Sequence, residues 1–347
     1  MIEFETLKAV TPETWDGWIA AAGRGRIYHS SAWMAFLHET QPGRPIWARV
    51  HENGRPIGFF AGRVIRKYGL RILGSPLPGW TTHYMGPILE GDRPFSLDIL
   101  RGLDDWVFRS LRCVHFETLS PDVPVGPMES LGYKSHAFHS FLLDLRQDET
   151  SLFRKFNKGC KWSIHKAQRE GLTVEEGGDE EFIQDYYGQL VEVFARQKLV
   201  PTYPRSRVEA LLRHLRKERV LFVRIRHPDG RCIATGIVPW DSRSAYLWGA
   251  ASWRNGQKHC PNELLQWHVV RRLRELQVPF YDFGGGGEYK AKYRGARICV
   301  AWFYKSRYKP LAKARDLFQS AFYARQRLKG WFNTAGATGA IGKDGRS

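Results

Sequence analysis

The sequence contains no hydrophobic stretch long enough to cross a membrane. No run of about 20 apolar residues, the length that a membrane-spanning helix requires, occurs in the chain. Residues 1–5 read MIEFE and lack the basic and then apolar segments of a signal peptide. We therefore expect a cytoplasmic protein.

Cysteine is also scarce. The five cysteines are odd in number, are scattered along the chain and never form a C-x-x-C pair. This spacing fits neither a disulfide framework nor a zinc site. We expect reduced core thiols at Cys113, Cys160, Cys232, Cys260 and Cys299.

Acidic residues are few relative to basic ones. The chain has 35 Asp and Glu against 53 Lys and Arg, a formal net charge of +18. Such a field attracts polyanions, so phosphate-rich partners are expected; a basic surface that serves only solubility is the alternative. With 347 residues, of which 43% are hydrophobic, the chain is globular in composition and long enough for two domains.

An internal repeat supports two domains. Residues 49–58 (RVHENGRPIG) and 225–234 (IRHPDGRCIA) both predict a β-hairpin, with Asn53-Gly54 and Asp229-Gly230 as two-residue type I′ turns. This repeat indicates a duplicated domain. The expected division is 1–145 and 146–307 for the two domains, 308–332 for a closing basic helix and 333–347 for a disordered tail.

The predicted order of elements is of the α+β class. In each half helices precede a pair of strands, and a further helix then leads into more strands. Residues 149–170 are predicted as one helix. On it Arg154, Lys158, Lys161 and His165 would form a basic stripe opposite an apolar one, either to bind phosphates or simply to face solvent.

Five segments resemble the Fem family of peptidyl-bridge aminoacyltransferases, and they occur in that family's order. They are residues 28–33 (YHSSAW), 156–167 (FNKGCKWSIHKA), 262–267 (NELLQW), 281–285 (YDFGG) and 289–295 (YKAKYRG). The resemblance implies two tandem domains of the acetyltransferase (GNAT) fold. It also implies transfer of an amino acid from aminoacyl-tRNA to an amine of a cell-wall precursor.

The resemblance makes Lys290 the catalytic cation, because it aligns with the lysine of the family's F-K-x-x-F signature. Lys292 is its rival if the alignment shifts by two residues. We include Tyr289 and Asp282 in the predicted catalytic site, since Tyr289 flanks the lysine, and Asp282 or Glu288 could take the proton of the attacking amine. A solvated lysine in a basic loop is the alternative for Lys290.

The acceptor site is less well defined by the sequence. Some relatives grip a nucleotide-linked precursor with a lysine shortly after the opening Trp, where this chain has Phe36, Leu37 and His38. Arg196, Arg205 and Tyr203 lie where relatives place acceptor-phosphate arginines, and a structural salt bridge is the alternative. The expected acceptor is a nucleotide- or lipid-linked precursor, with peripheral contact to the inner face of the membrane.

The donor is expected to be a co-substrate, with no bound cofactor or metal. Residues 252–261 contain one glycine and do not fit the Gly-rich loop that holds the pyrophosphate of acetyl-CoA, which favours aminoacyl-tRNA. The residues expected to bind tRNA are Arg154, Lys158, Lys161, Lys292, Lys305 and Arg307. Polysaccharide-associated acetyltransferases share many of these motifs, so an acyl-CoA-dependent N-acyltransferase of an amino sugar is one alternative. A non-catalytic RNA-binding protein is the other.

Overall fold

The first half of the chain forms a helix-flanked sheet that is antiparallel except for the parallel pair of strands Leu70–Ser75 and His115–Leu119. In the computed structural model, which describes residues 1–215, 219–285, 287–313, 315 and 317, these elements are β1 (Ile2–Thr6), α1 (Pro12–Ala21), α2 (Ser31–Thr40), β2 (Arg44–Glu52), β3 (Arg55–Lys67), β4 (Leu70–Ser75), β5 (Gly86–Leu89), α3 (Leu97–Asp105), β6 (His115–Leu119), α4 (Val125–Ser130) and β7 (Lys134–Asp144). The Ser30 hydroxyl caps α2 by accepting the Trp33 N–H at 3.1 Å.

The second half repeats this order. Its elements are α5 (Glu149–Lys155), α6 (Lys158–Arg169), β8 (Thr173–Glu176), α7 (Glu180–Arg196), α8 (Arg205–Leu215), β9 (Val220–Arg226), β10 (Cys232–Pro239), β11 (Ser244–Tyr246), β12 (Gly249–Ser252), α9 (Pro261–Glu275), β13 (Phe280–Asp282) and β14 (Ala296–Ser306). In both halves a pair of helices, α1–α2 or α7–α8, precedes a hairpin, β2–β3 or β9–β10. The predicted α+β class and the internal duplication are confirmed.

The two hairpin turns differ in detail. Asn53 and Gly54 have φ values of 51° and 78°, as the predicted type I′ turn requires. In the second hairpin only Gly230 has a positive φ, 88°, and the Asp229 carboxylate accepts the Arg231 N–H at 3.1 Å. The prediction of a type I′ turn there is wrong, because the loop between the strands is longer and is closed by the His227 N–H, which bonds the Arg231 carbonyl at 2.9 Å, as well as by the aspartate side chain.

The prediction of a single helix over residues 149–170 is also wrong. The chain leaves the helix at Phe156, and the Asn157 side chain starts α6 by accepting the Cys160 N–H at 2.7 Å. Phe156 is buried against Trp267, with ring centroids 5.6 Å apart. Burial of this ring therefore breaks the helix, and Arg154 does not continue the stripe of Lys158.

Two long strands are shared between the halves. The sheet order is β1-β2-β3-β4-β6-β14-β7-β13-β11, with β5 beside β3, and a second sheet has the order β12-β10-β9-β8. The last described strand of the second half, β14, thus lies between two strands of the first half. In exchange, β7 of the first half lies between β14 and β13.

The cysteines follow the predicted burial only in part. Cys113, Cys160 and Cys232 are buried thiols, Cys260 is half-buried and Cys299 is exposed, so the prediction of five core thiols is wrong for the last two. None of the helices in the described part of the chain is both long and apolar enough to cross a membrane. Most of the predicted segment 308–332 and all of 333–347 lie outside the described residues.

The shared strands predict that the first half does not fold alone. A fragment of residues 1–145 would lack β14 and leave β6 and β7 with unpaired edges. We expect no cooperative unfolding transition in urea for this fragment, whereas the intact chain shows one. A fragment that unfolds cooperatively would contradict the importance of strand sharing.

Candidate functional site

The site lies where two parallel strands separate. β11 and β13 are paired up to Tyr246 and Asp282, and the Leu247 N–H still reaches the Asp282 carbonyl at 2.9 Å. The next N–H, that of Trp248, bonds Ile237 in the second sheet at 3.0 Å. The chain therefore moves from one sheet to the other, and a gap opens beyond the ends of the two strands.

A cavity of about 210 Å³ fills this gap. Its wall combines charged and amide side chains with apolar and aromatic ones, and is formed by Val193, Arg196, Leu247, Ala250, Ala251, Ser252, Gln257, Asn262, Glu263, Gln266, Phe283, Tyr289, Lys290, Lys292 and Tyr293. A cleft in which polar groups converge between apolar side chains is typical of a site for a small organic group.

The two faces of the diverging strands β11 and β13 have different surroundings. Leu247 and Phe283 line the cavity. Their neighbours Tyr246 and Asp282 point the other way, because successive side chains of a strand alternate, and both contact Tyr84 of the first half. The cavity thus lies on one face, and a polar group supplied by the first half lies on the other.

Lys290 holds the glycine-rich turn that follows β13. Its Nζ donates hydrogen bonds to the carbonyls of Phe283 at 2.6 Å, Gly285 at 3.1 Å and Gly284 at 3.2 Å. Burial lowers the pKa of this lysine, and the carboxylate of Asp282 opposes that shift. Three carbonyl acceptors match the three N–H bonds of an ammonium group, so a substrate oxygen that approaches Nζ must replace one of them.

Asp282 fixes the base of the same turn. Its carboxylate accepts the Tyr84 hydroxyl at 2.6 Å, the Gly284 N–H at 2.8 Å and the Ser140 hydroxyl, and the residue is almost fully buried. The predicted role of Asp282 as acceptor of the amine's proton does not fit this arrangement, because donors already surround both oxygens. Asp282 therefore links the turn to Tyr84 of the first half and to Ser140 on β7.

The other predicted catalytic residues lie at the cavity mouth. Tyr289 is 65% exposed, and its ring is 5.8 Å from the Lys290 ammonium. Lys292 donates to Glu263 at 2.5 Å, so its charge is paired on the cavity wall. Glu288, the other carboxylate predicted as proton acceptor, is exposed at the surface and pairs with Arg297.

The N-terminus of α9 also faces the cavity. Asn262 and Glu263 in its first turn line the wall, and Pro261 occupies the first helical position without an N–H to offer. The preceding Gly256 is buried, and a β-carbon there would lie 2.9 Å from Ile233. This glycine serves packing, and it does not open the backbone for a phosphate.

The predicted acceptor residues are separated by the fold. Arg196 lies at the cavity wall and is exposed. Arg205 is held between Glu180 and Glu209, as the salt-bridge alternative expects. The Tyr203 hydroxyl bonds that of Tyr186 at 2.8 Å, so this residue belongs to the packing of α7.

The residues predicted to bind tRNA fall into two groups. Arg154 and Lys158 are exposed and Lys161 is half-exposed on α5 and α6. Between these helices the Asn157 N–H bonds the carbonyl of Lys292, a residue of the cavity wall, at 3.0 Å. Lys305 instead bonds Asp104 at 2.7 Å in the first half. It lies near the end of β14, with Arg307 just beyond, about 30 Å along the strand from Ala296 at roughly 3.3 Å per residue.

The sequence analysis missed a group that the first half brings to the site. Tyr28 and His83 share a hydrogen bond of 2.8 Å, and Tyr28 lies against Tyr246 with ring centroids 4.9 Å apart. Tyr28 was noted only as part of a family segment. His83 carried no signal, because only the fold brings residues 83 and 284 together.

Comparison with known proteins identifies the fold of the chain. Residues 154–306 match the family model described as an acetyltransferase (GNAT) domain. The structure is similar to FemX, with 14% identity, coverage of 89% of this chain and 99% of FemX, and a TM-score of 0.69. A tandem GNAT protein from the clavulanic acid biosynthesis pathway is 15% identical, with 89% and 99% coverage and a TM-score of 0.52.

L-PGS from Bacillus licheniformis is a further structural neighbour, with 10% identity, coverage of 85% of this chain and 97% of that chain, and a TM-score of 0.52. No curated protein sequence matches the chain significantly. At these identities the structural similarities establish the fold. They confirm the prediction of tandem GNAT domains. At the level of the fold they also confirm the predicted resemblance to the Fem family.

The bonds of Asp282 predict a clear effect of one substitution. Asp282→Asn replaces an acceptor oxygen by an amide NH₂ that faces one of three donors, which costs about 1–3 kcal/mol of unfolding free energy. Urea unfolding measures this loss. Glu288→Gln, at an exposed carboxylate, should change stability by less than about 0.5 kcal/mol. Equal effects of the two substitutions would contradict the anchoring role of Asp282.

Proposed function

We propose that this chain, an acyltransferase whose residues 154–306 belong to the acetyltransferase (GNAT) family, transfers an amino acid from aminoacyl-tRNA to an amine of a cell-wall precursor. The cavity at the split of β11 and β13 holds the acyl group, and the donor is a co-substrate that leaves after each reaction. The fold shared with FemX supports this choice among acyl transfers.

The N-terminus of α9 is the observation that carries the choice of donor. A helix N-terminus binds a diphosphate through free N–H groups and its positive dipole end. Here Pro261 removes one N–H, and the Glu263 carboxylate adds negative charge in the same turn. With Pro261 lacking an N–H and Glu263 filling the first turn, this helix end offers fewer donors to a coenzyme A diphosphate, whereas an aminoacyl ester brings no phosphate to it.

Glu263 also suits the amino group of such a donor. Its side chain lines the cavity and is 17% exposed, with one oxygen bonded to Lys292. The second oxygen has no hydrogen bond within the described residues and would accept one from the α-ammonium group of an aminoacyl ester. An acetyl group carries no such charge, so this contact favours an amino acid over a simple acyl group.

Lys290 supplies the charge that the reaction needs. When the acceptor amine attacks the ester carbonyl, negative charge develops on the carbonyl oxygen and then on the leaving ribose oxygen. One N–H of the ammonium group turns from a turn carbonyl to this oxygen, while the other two keep the turn in place. The lowered pKa of Lys290 assists transfer of a proton to the leaving oxygen.

Exposed cations near the cavity extend the site. Arg154, Lys158 and Lys161 would hold the phosphates of the acceptor end of tRNA. Arg196, at the cavity wall and without an ion-pair partner among the described residues, would contact the acceptor phosphate. The acceptor itself is proposed to be a nucleotide- or lipid-linked precursor.

The donor is tested by direct comparison. We expect transfer of a labelled amino acid from aminoacyl-tRNA to an amine acceptor, and no transfer of acetyl from acetyl-CoA under the same conditions. Uncharged tRNA should compete, and the inhibition should weaken steeply with salt because the contacts are to phosphates. Transfer from acetyl-CoA alone would replace this donor by acyl-CoA. Tight tRNA binding without any transfer would indicate the non-catalytic alternative.

Lys290 and Lys292 should respond differently to substitution. Lys290→Ala should lower kcat by a factor on the order of 10²–10³ with little change in KM, since its charge acts in the transition state. Lys292→Ala should act on donor affinity, with an effect that shrinks as salt rises. Steady-state kinetics on variants that retain the circular dichroism spectrum of the parent separate the two.

The comparison of the two lysines also tests the motif alignment. A large kcat loss in Lys292→Ala with near-normal turnover in Lys290→Ala would exchange their roles. Lys290→Arg serves as the matched control for charge. It keeps a cation, and it should recover part of the activity only if charge, rather than the geometry of the turn, dominates.

A further inference from the structure

A histidine from the first half lies against the turn that Lys290 organises. A β-carbon placed on Gly284 would lie 3.6 Å from His83 Nε2 and 3.4 Å from the Leu247 carbonyl, so the imidazole packs closely on this turn. Gly284 has a φ of 71°, which glycine adopts without strain. A β-carbon at this position would lie at van der Waals distance from both groups, and only the positive φ would strain a larger residue.

The two ring nitrogens of His83 have different surroundings. Nδ1 lies 2.8 Å from the Tyr28 hydroxyl, which fixes the ring from the side of the first half. Nε2 points toward Gly284 and has no hydrogen bond within the described residues. His83 is partly exposed, so the residue retains contact with solvent.

The position of His83 relative to the cavity follows from strand alternation. Tyr246 and Asp282 face the group that contains His83, whereas Leu247 and Phe283 line the donor cavity. Gly284 connects the two faces, because His83 packs on it from one side and its carbonyl accepts a hydrogen bond from Lys290 of the cavity wall. An acyl carbon held in the cavity beside Gly284 would then be attacked from the side on which His83 lies.

The ionisable groups around His83 come from both halves. Those that face it are Tyr28, Tyr84, Tyr246, Asp282 and Lys290. Burial lowers the pKa of His83 below its usual value, Asp282 opposes this shift and the positive charge of Lys290 adds to it. The imidazole is therefore neutral at pH 7 and able to accept a proton.

We propose that His83 is a catalytic residue that takes the proton of the acceptor amine through Nε2, and that the first half thereby provides the acceptor side of the reaction. The inference rests on the proposed acyl transfer. It assigns to His83 the role that Asp282 cannot take, because donors surround the Asp282 carboxylate.

The step is balanced in atoms and protons. The amine nitrogen attacks the ester carbonyl and forms the C–N bond, and one of its protons passes to His83 Nε2. The C–O bond to the ribose then breaks, and the leaving oxygen takes a proton from Lys290. Proton loss from His83 to solvent and proton gain by Lys290 restore both residues. The net products are an amide and a free ribose hydroxyl.

His83→Gln tests the proposal, because glutamine keeps hydrogen bonding but does not accept a proton in this range. We expect kcat to fall on the order of 10²-fold, with donor KM nearly unchanged, since the donor cavity lies on the other face. His136→Gln on β7 is the matched control, because His136 is exposed. It should retain the activity of the parent protein.

The pH dependence gives a readout that a structural role would not move. The ratio of parent to His83→Gln activity cancels the ionisation of the acceptor amine itself. It should be constant above the lowered pKa of His83 and fall toward one as the pH drops through it, since a protonated imidazole accepts no proton. Tyr28→Phe should reduce kcat more mildly, because it removes only the partner of Nδ1.

The possible outcomes separate the two levels of the proposal. Transfer by the parent protein with an unchanged rate in folded His83→Gln overturns the role of His83 alone. A rate loss whose ratio to the parent is independent of pH overturns the proton transfer and assigns His83 to packing. Absence of transfer by the parent from aminoacyl-tRNA and from acetyl-CoA overturns the proposed function and this inference together.

Discussion

A single buried carboxylate connects the parts of this site. Asp282 accepts hydrogen bonds from Tyr84 of the first half, from Ser140 on the shared strand β7 and from Gly284 in the turn. A buried charge persists only when donors surround it, so these three segments are obliged to meet at one point. The positions of the cavity, of Lys290 and of His83 all depend on the contact between these three segments.

The separation of β11 from β13 then exposes backbone groups at the point where these segments meet. Strands that part leave N–H and C=O groups without strand partners, and proteins must satisfy such groups or use them. Here the carbonyls of the glycine-rich turn are satisfied by the Lys290 ammonium, which brings a cation to the strand ends. The duplicated first half covers the opposite face of these strands, where it places Tyr28 and His83.

Much of this arrangement could be predicted from the sequence. The hairpin at Asn53-Gly54 and the order of helices and strands follow from local turn chemistry and periodicity, and the motif around Lys290 identified the wall of the cavity. The break at Phe156 could not be predicted, because it depends on packing against Trp267, which is distant in sequence. For the same reason the neighbouring sequence did not indicate that hydrogen-bond donors surround Asp282, or that His83 packs against Gly284.

The exchange of β7 and β14 has a consequence for biosynthesis. During translation the first half emerges complete in sequence, yet the strand that belongs between β6 and β7 follows only after the whole second half. Until then β6 and β7 have open edges, which invite pairing with other nascent chains. A protein of this design is therefore most vulnerable on the ribosome, and we expect its yield to depend on chaperones and on the rate of elongation more than its final stability would indicate.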